Sequence, residues 1–104
     1  MTTMNLLERW LREEAEVQAR LDAGPGPGVA RPDQIAGKTG LEVMQAMLAG
    51  EIPHAEIART LDFALVEVGP GLAVFQGAPL QRHLNPMGTV HGGWFATLLD
   101  SALG

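Results

Sequence analysis

The sequence contains no cysteine, and this absence removes several classes of chemistry. A chain without cysteine has no disulfide framework, no thiol nucleophile and no cysteine-based zinc site. Basic residues are also few, with 7 Lys and Arg against 12 Asp and Glu. The net charge of -5 argues against a nucleic-acid-binding protein, because such proteins use Lys and Arg to neutralise phosphates.

The sequence also lacks an apolar run long enough to cross a membrane. Its first residues, Met-Thr-Thr-Met-Asn, show no basic region followed by an apolar run, so no secretion signal is visible. We therefore expect a cytoplasmic protein with no membrane partner. With 104 residues, 46% of them hydrophobic, the composition is that of one small folded domain with a limited core, which oligomerisation would support.

Residues 1–38 predict a helix followed by a Gly/Pro-rich loop. Apolar residues recur at helical spacing from Met4 to Leu21, and Glu8 and Arg12 stand four apart, where an ion pair can form on the polar side. We interpret this amphipathic helix as a strut packed on the domain. A contact with a partner or with a membrane surface is the alternative, although the acidic polar face argues against anionic lipid. Residues 22–37 contain Gly-Pro-Gly-Pro-Gly and are predicted to have no regular structure.

A second helix is predicted to begin at Thr39, because Thr39 and Glu42 have the spacing of a capping box and Gly50 follows the apolar run. We interpret its methionines as core filling, with the wall of an acyl pocket as the alternative.

Pro53 is predicted to open a short third helix that runs through Ala58. His54 has no apparent partner in the sequence and is expected at the surface.

Two runs rich in β-branched and aromatic residues, 63–68 and 72–76, predict the strands of an antiparallel hairpin. Gly69-Pro70-Gly71 separates them and predicts the turn. Apolar residues occupy both alternating sets of the first run, so we expect its middle to be covered on two faces, one of them by a helix.

The most informative stretch runs from Asn85 to Gly104 and predicts a buried helix with an open N-terminus. Gly92 and Gly93 mark that N-terminus, where free N–H groups can approach a negatively charged oxygen, as an oxyanion hole requires. Asp100 interrupts the apolar helix; because an unpaired buried charge costs several kcal/mol, we expect it to have a function or a partner. The apolar residues at helical spacing are Trp94, Phe95, Leu98, Leu99 and Ala102.

The spacing of His91 and Asp100 indicates self-association. Nine residues separate them, about two and a half turns, which places the two side chains on roughly opposite sides of one helix. Two copies around a two-fold axis can bring the His91 end of one chain to the Asp100 of the other. The motif itself therefore predicts a dimer.

The run Asn85-Pro-Met-Gly-Thr-Val-His91-Gly92-Gly93, followed by Ala96-Thr-Leu-Leu-Asp100-Ser-Ala, resembles the signature of hotdog-fold acyl-CoA thioesterases of the PaaI type, within the 4-hydroxybenzoyl-CoA thioesterase-like superfamily. The resemblance implies an α+β fold in which an antiparallel sheet wraps around a central helix. Residues 39–104 would form the N-terminal part of that domain, and residues 1–38 a helical extension. Since the family fold continues into further strands, we expect a chain truncated after the central helix.

By this resemblance, the Gly92 N–H and Asn85 would polarise the thioester carbonyl. Asp100 of the partner chain would be the general base or the nucleophile, and His91 would lie beside the sulfur. The implied reaction converts an acyl or aryl thioester to a carboxylate and coenzyme A, in a homodimer or homotetramer that needs no cofactor. Further contacts to the substrate are expected from Gly88, Gly93 and Arg82, with Arg82 as the last basic residue and a candidate for the phosphates.

Two other functions fit the same residues. One is a hotdog hydratase or dehydratase that acts on enoyl or hydroxyacyl thioesters; the other is a non-catalytic acyl-binding or interaction module.

A metal site built from His83, His91 and Asp100 is not expected, because their spacing matches no familiar ligand pattern.

Overall fold

The chain folds into helices that pack against a small sheet, an α+β arrangement. The structure, a computed structural model, describes residues 5–104, so the predicted helix start at Met4 lies outside the described residues. None of the helices in this part of the chain is long and apolar enough to cross a membrane. In chain order the elements are α1 (Leu6–Ala23), α2 (Pro32–Ile35), α3 (Gly40–Leu48), α4 (Glu56–Thr60), β1 (Phe63–Gly69), β2 (Leu72–Gly77), a 3₁₀ turn (Gln81–His83) and α5 (Gly92–Leu103).

The first helix, α1, is confirmed, and a capping box that the sequence analysis missed fixes its start. The Asn5 side chain accepts a hydrogen bond from the Glu8 N–H at 2.8 Å, and the Glu8 carboxylate accepts one from the Asn5 N–H at 3.3 Å. The predicted ion pair between Glu8 and Arg12 is not formed, because this cap holds the Glu8 carboxylate. The ion pair on the exposed side joins Arg9 and Glu13 instead, at 3.6 Å.

The Gly/Pro-rich connection has more regular structure than predicted. Residues Pro32–Ile35 form the short helix α2, and Pro27 makes an isolated parallel bridge with His54. In this bridge the His54 carbonyl accepts from the Gly28 N–H at 2.9 Å, and the His54 N–H donates to the Gly26 carbonyl at 3.2 Å. The expectation that His54 lies at the surface is therefore wrong: it is 8% exposed.

The same bridge explains why the third predicted helix is misplaced. Helix α4 spans Glu56–Thr60 rather than running from Pro53 to Ala58. Because the main chain at His54 is extended and pairs with the Gly/Pro-rich connection, the helix begins only after Ala55.

Helix α3 begins at the predicted capping box and ends near the predicted glycine. The Glu42 N–H donates to the Thr39 hydroxyl at 3.1 Å, and the Thr39 N–H donates to the Glu42 carboxylate at 3.0 Å. Gly50 has φ +75°, a left-handed conformation that favours glycine. Just before it, the Leu48 carbonyl accepts from Arg20 Nε at 2.9 Å, which ties α1 to the end of α3.

The predicted antiparallel hairpin of β1 and β2 is confirmed. Its register pairs Phe63 with Gly77 and Leu65 with Phe75, and it shifts by one residue at a bulge after Leu65. Gly77 is required by packing, because a Cβ there would lie 2.5 Å from the Asp62 carbonyl oxygen. The buried residues of β1 are the first three, Phe63 to Leu65, rather than the middle.

The two faces of the hairpin are covered at the start of β1, whereas the prediction placed this cover at its middle. On one face Val17 and Leu21 of α1 pack against Ala64. On the other face the Phe63 ring meets the Trp94 ring of α5 edge to face, with 6.5 Å between their centroids. The Trp94 indole N–H donates to the carbonyl oxygen of Leu61 at 2.7 Å, so α5 is fixed to the chain that enters β1.

Candidate functional site

The loop before α5 is organised by the side chain of Asn85. Its Oδ1 accepts hydrogen bonds from the N–H groups of Met87 at 2.9 Å and Thr89 at 3.2 Å, and its Nδ2 donates to the Thr89 hydroxyl at 2.8 Å. Gly88, with φ +83°, completes the turn by donating to the Asn85 carbonyl at 3.0 Å. Asn85 and Gly88 therefore shape this loop, and their contacts with a substrate stay predictions.

Buried His83 holds the loop through hydrogen bonds, a role that the sequence analysis did not predict. Its side chain is 3% exposed, and its Nδ1 accepts from the Leu80 N–H at 2.8 Å. Its Nε2 lies 3.5 Å from a carboxylate oxygen of Asp62, and its carbonyl accepts from the His91 N–H at 2.9 Å. No local pattern reveals this role, because it depends on the loop returning from Asn85 to His91.

His91 caps helix α5 with its ring. The His91 Nδ1 accepts from the Gly93 N–H at 2.8 Å, so this nitrogen is the acceptor of the cap. The plainer interpretation of His91, a histidine that caps the helix, is therefore observed, and its position beside a thioester sulfur stays a prediction. Because of this cap, the Gly93 N–H already has a hydrogen-bond acceptor.

Gly92 retains the open donor that the sequence predicts at this helix end. Within residues 5–104, no group accepts a hydrogen bond from the Gly92 N–H. The residue is exposed, and a Cβ placed on it would meet no atom within 4 Å. An oxygen can therefore reach this N–H without steric hindrance, at the positive end of a twelve-residue helix.

The expectation that Asp100 and the apolar side of α5 are buried is wrong for a single chain. Asp100 is exposed and makes no ion pair with the other described residues. Phe95 and Leu99 are 49% and 58% exposed, and only Trp94 is buried. The reason is that α5 rests on the hairpin along one side only. We call the exposed side, formed by Phe95, Ala96, Leu99 and Leu103, the outer face of α5.

A single chain brings together part of the predicted site. A cleft of about 310 Å³ lies between the 3₁₀ turn and the start of α5, and Arg82, His83, His91 and Gly93 contribute to its wall. Arg82 also pairs with the Asp62 carboxylate, yet its side chain is 59% exposed. Asp100 does not join this group, because it lies eight residues beyond Gly92, about 12 Å along the helix axis.

Within one chain, the open Gly92 N–H and the Asp100 carboxylate of the predicted site are therefore separated. Among residues 5–104, no three His, Asp or Glu side chains are grouped so that they could hold a metal ion.

Comparison with known proteins assigns no family: no protein-family model, curated protein or solved structure matches the chain.

Proposed function

We propose that this protein is a hotdog-fold acyl-CoA thioesterase of the PaaI type, which hydrolyses acyl or aryl thioesters to a carboxylate and coenzyme A. The observation that carries the proposal is the open Gly92 N–H at the N-terminus of α5, held by the His91 cap and the Asn85 loop. A hairpin followed by a helix that packs on it is also the order in which the hotdog fold begins.

The proposed chemistry begins at the carbonyl of the thioester. Its oxygen accepts a hydrogen bond from the Gly92 N–H, which stabilises the negative charge that develops as water attacks the carbonyl carbon. One donor of this kind contributes about 3–4 kcal/mol in a well-studied protease. A carboxylate, Asp100, takes the proton from the attacking water. The C–S bond then breaks, and the thiolate of coenzyme A leaves beside the exposed ring of His91.

Asp100 reaches this carbonyl from a second copy of the chain. Ala96 lies midway in the sequence between Gly92 and Asp100. If two α5 helices pack antiparallel and cross at Ala96, the Asp100 of each chain lies opposite the Gly92 of the other. Alanine at the crossing allows the two backbones to approach closely. The same pairing covers Phe95 and Leu99, which are exposed in one chain. The apolar outer face, the small central residue and the unpaired acid thus favour one arrangement.

Substitution of Asp100 by asparagine tests the assignment. We expect thiol release from acyl-CoA to fall by about 100-fold or more, the usual contribution of a general base. The fold should be preserved, because the Asp100 side chain is exposed. Asp33→Asn is the matched control, since Asp33 is also exposed and pairs only with Arg31 at the surface. Unchanged turnover by the Asp100→Asn variant would refute the assignment, and water addition to an enoyl-CoA without thiol release would indicate a hydratase instead.

Mixing two inactive variants tests the shared site. In dimers that combine Asp100→Asn with Gly92→Trp, one of the two sites has both native groups and the other has neither. Random pairing makes half of the dimers mixed, so about a quarter of the wild-type activity should return. No recovery, although mass spectrometry shows mixed dimers, would contradict a site made by two chains.

A further inference from the structure

An apolar cavity of about 220 Å³ lies where helices α3 and α4 meet the hairpin. Two of its wall residues, Met44 and Met47, project from successive turns of α3. Phe63 and Phe75 contribute aromatic surface, and their rings are 6.1 Å apart in an edge-to-face arrangement. His54, Ala58 and Ser101 also contribute to the wall.

The size and lining of this cavity define the class of ligand. An apolar cavity of about 150 Å³ in another protein stays dry and binds benzene, so the larger volume here has room for a substituted aromatic ring or a short alkyl chain. No Asp, Glu, Lys or Arg lines it. Burial lowers the pKa of His54, which favours the neutral ring. The flexible thioether side chains of Met44 and Met47 can adapt to apolar groups of different shape.

The position of the cavity relates it to the proposed site. Ser101, at its wall, follows Asp100 directly, and successive residues of a helix point about 100° apart. Asp100 therefore faces the exposed side of α5, while Ser101 faces the interior of the same chain. The cavity and the Asp100 carboxylate therefore lie on neighbouring sides of the same turn of α5.

We propose that this cavity binds the apolar end of the acyl group of the substrate, of the size of a single aromatic ring or a short alkyl chain. The assignment of that ligand as a thioester rests on the proposed function. The binding of small apolar molecules in the cavity does not, and it can be tested separately.

Methionine methyl resonances provide the test, with benzene as the probe. The chain has five methionines; Met44 and Met47 line the cavity, whereas Met87 is 85% exposed in the loop before α5. In the full chain labelled with ¹³C at the methionine methyl groups, benzene should shift the resonances of Met44 and Met47 in a saturable manner. Met87 is the internal control and should not shift. The absence of saturable shifts at Met44 and Met47 would overturn the proposal.

A variant that fills the cavity makes the test specific. Ala58 is 6% exposed and lies at the wall, so Ala58→Leu should occupy the space and weaken benzene binding at least tenfold. Ser101→Leu is the second variant if Ala58→Leu does not fold, because Ser101 is only partly buried. Met87→Ala is the matched control and should bind benzene as the wild type does. Unchanged affinity in a folded, filled variant would place the ligand elsewhere and refute the proposal.

Turnover separates this proposal from the proposed function. If benzene binds but no thioester is hydrolysed, the thioesterase assignment fails and the apolar site stands. If thioesters are hydrolysed, Ala58→Leu should reduce kcat/KM for a benzoyl or hexanoyl thioester more than for an acetyl thioester, by tenfold or more. An equal effect on all three would show that the cavity does not hold the acyl group, although the thioesterase assignment would remain.

Discussion

Replacement of Gly93 by alanine tests whether the ring of His91 holds the N-terminus of α5. A Cβ on Gly93 would lie 2.9 Å from His91 Nδ1 and 3.3 Å from its Cε1, so the ring would have to move away. A Cβ on Gly92 would meet no atom within 4 Å. Because both changes replace a glycine of the same helical turn by alanine, Gly92→Ala is the matched control for Gly93→Ala.

The expected magnitudes follow from two opposing effects. Alanine is favoured over glycine in a helix by up to about 1 kcal/mol, and this gain applies to both variants. Loss of a capping hydrogen bond typically costs about 0.5–2 kcal/mol, and this cost applies only to Gly93→Ala. We therefore expect Gly93→Ala to be less stable than Gly92→Ala by about 0.5–2 kcal/mol. For a domain of this size, a difference of 1 kcal/mol corresponds to about 4–8 °C in Tm.

Urea unfolding followed by circular dichroism measures the free energies of unfolding of the two variants. The same pair in a His91→Ala background supplies the decisive control, because without the ring the Gly93 Cβ has nothing to displace. In that background both alanines should stabilise the helix about equally. If the two variants are equally stable while His91 is present, the cap has no energetic role, and the reasoning from its geometry is wrong.

Two further predictions concern the core and its pH dependence. Gly77→Ala should destabilise the fold by about 1–3 kcal/mol through overpacking, since its Cβ would lie 2.5 Å from the Asp62 carbonyl oxygen, whereas Gly69→Ala meets no atom within 4 Å. Equal free energies of unfolding by urea would contradict this. Burial lowers the pKa of His54 in the folded state, so the unfolded state binds the proton more readily and stability should fall as the pH decreases below about 6.5. Urea unfolding between pH 5 and 8 should show a weaker slope for His54→Gln, and an unchanged slope would refute the assignment to this residue.

The parts of the fold that the sequence predicted correctly depend on local signals. The capping box of Thr39 and Glu42 is contained in four residues, and the turn at Gly69-Pro70-Gly71 lies directly between two runs of β-forming residues. The open Gly92 N–H is local as well, because the first N–H groups of any helix lack partners within that helix. In each case the interacting groups lie within a few residues of each other.

Two of the predictions that were wrong concern contacts between distant segments. His54 is buried because Pro27 pairs with it across a long connection, which no pattern near His54 reveals. The exposure of Phe95 depends on which side of α5 the hairpin occupies. Periodicity shows that a helix has a wide apolar face, but it does not show whether the same chain or a second chain covers that face.

In the proposed mechanism, a second chain covers the apolar face of α5. In the proposed mechanism, a cation of its own chain would lower the basicity of the acid that takes a proton from water, and Asp100 has no such ion pair among residues 5–104. In a single chain the Asp100 carboxylate, beside Leu99, is exposed to water, so its charge carries no desolvation cost and does not oppose folding. In the proposed dimer, the outer faces of two α5 helices would meet, so the apolar residues would lose water and Asp100 would approach the partner's Gly92 in the same step. Formation of the dimer and assembly of the catalytic site would therefore be a single event.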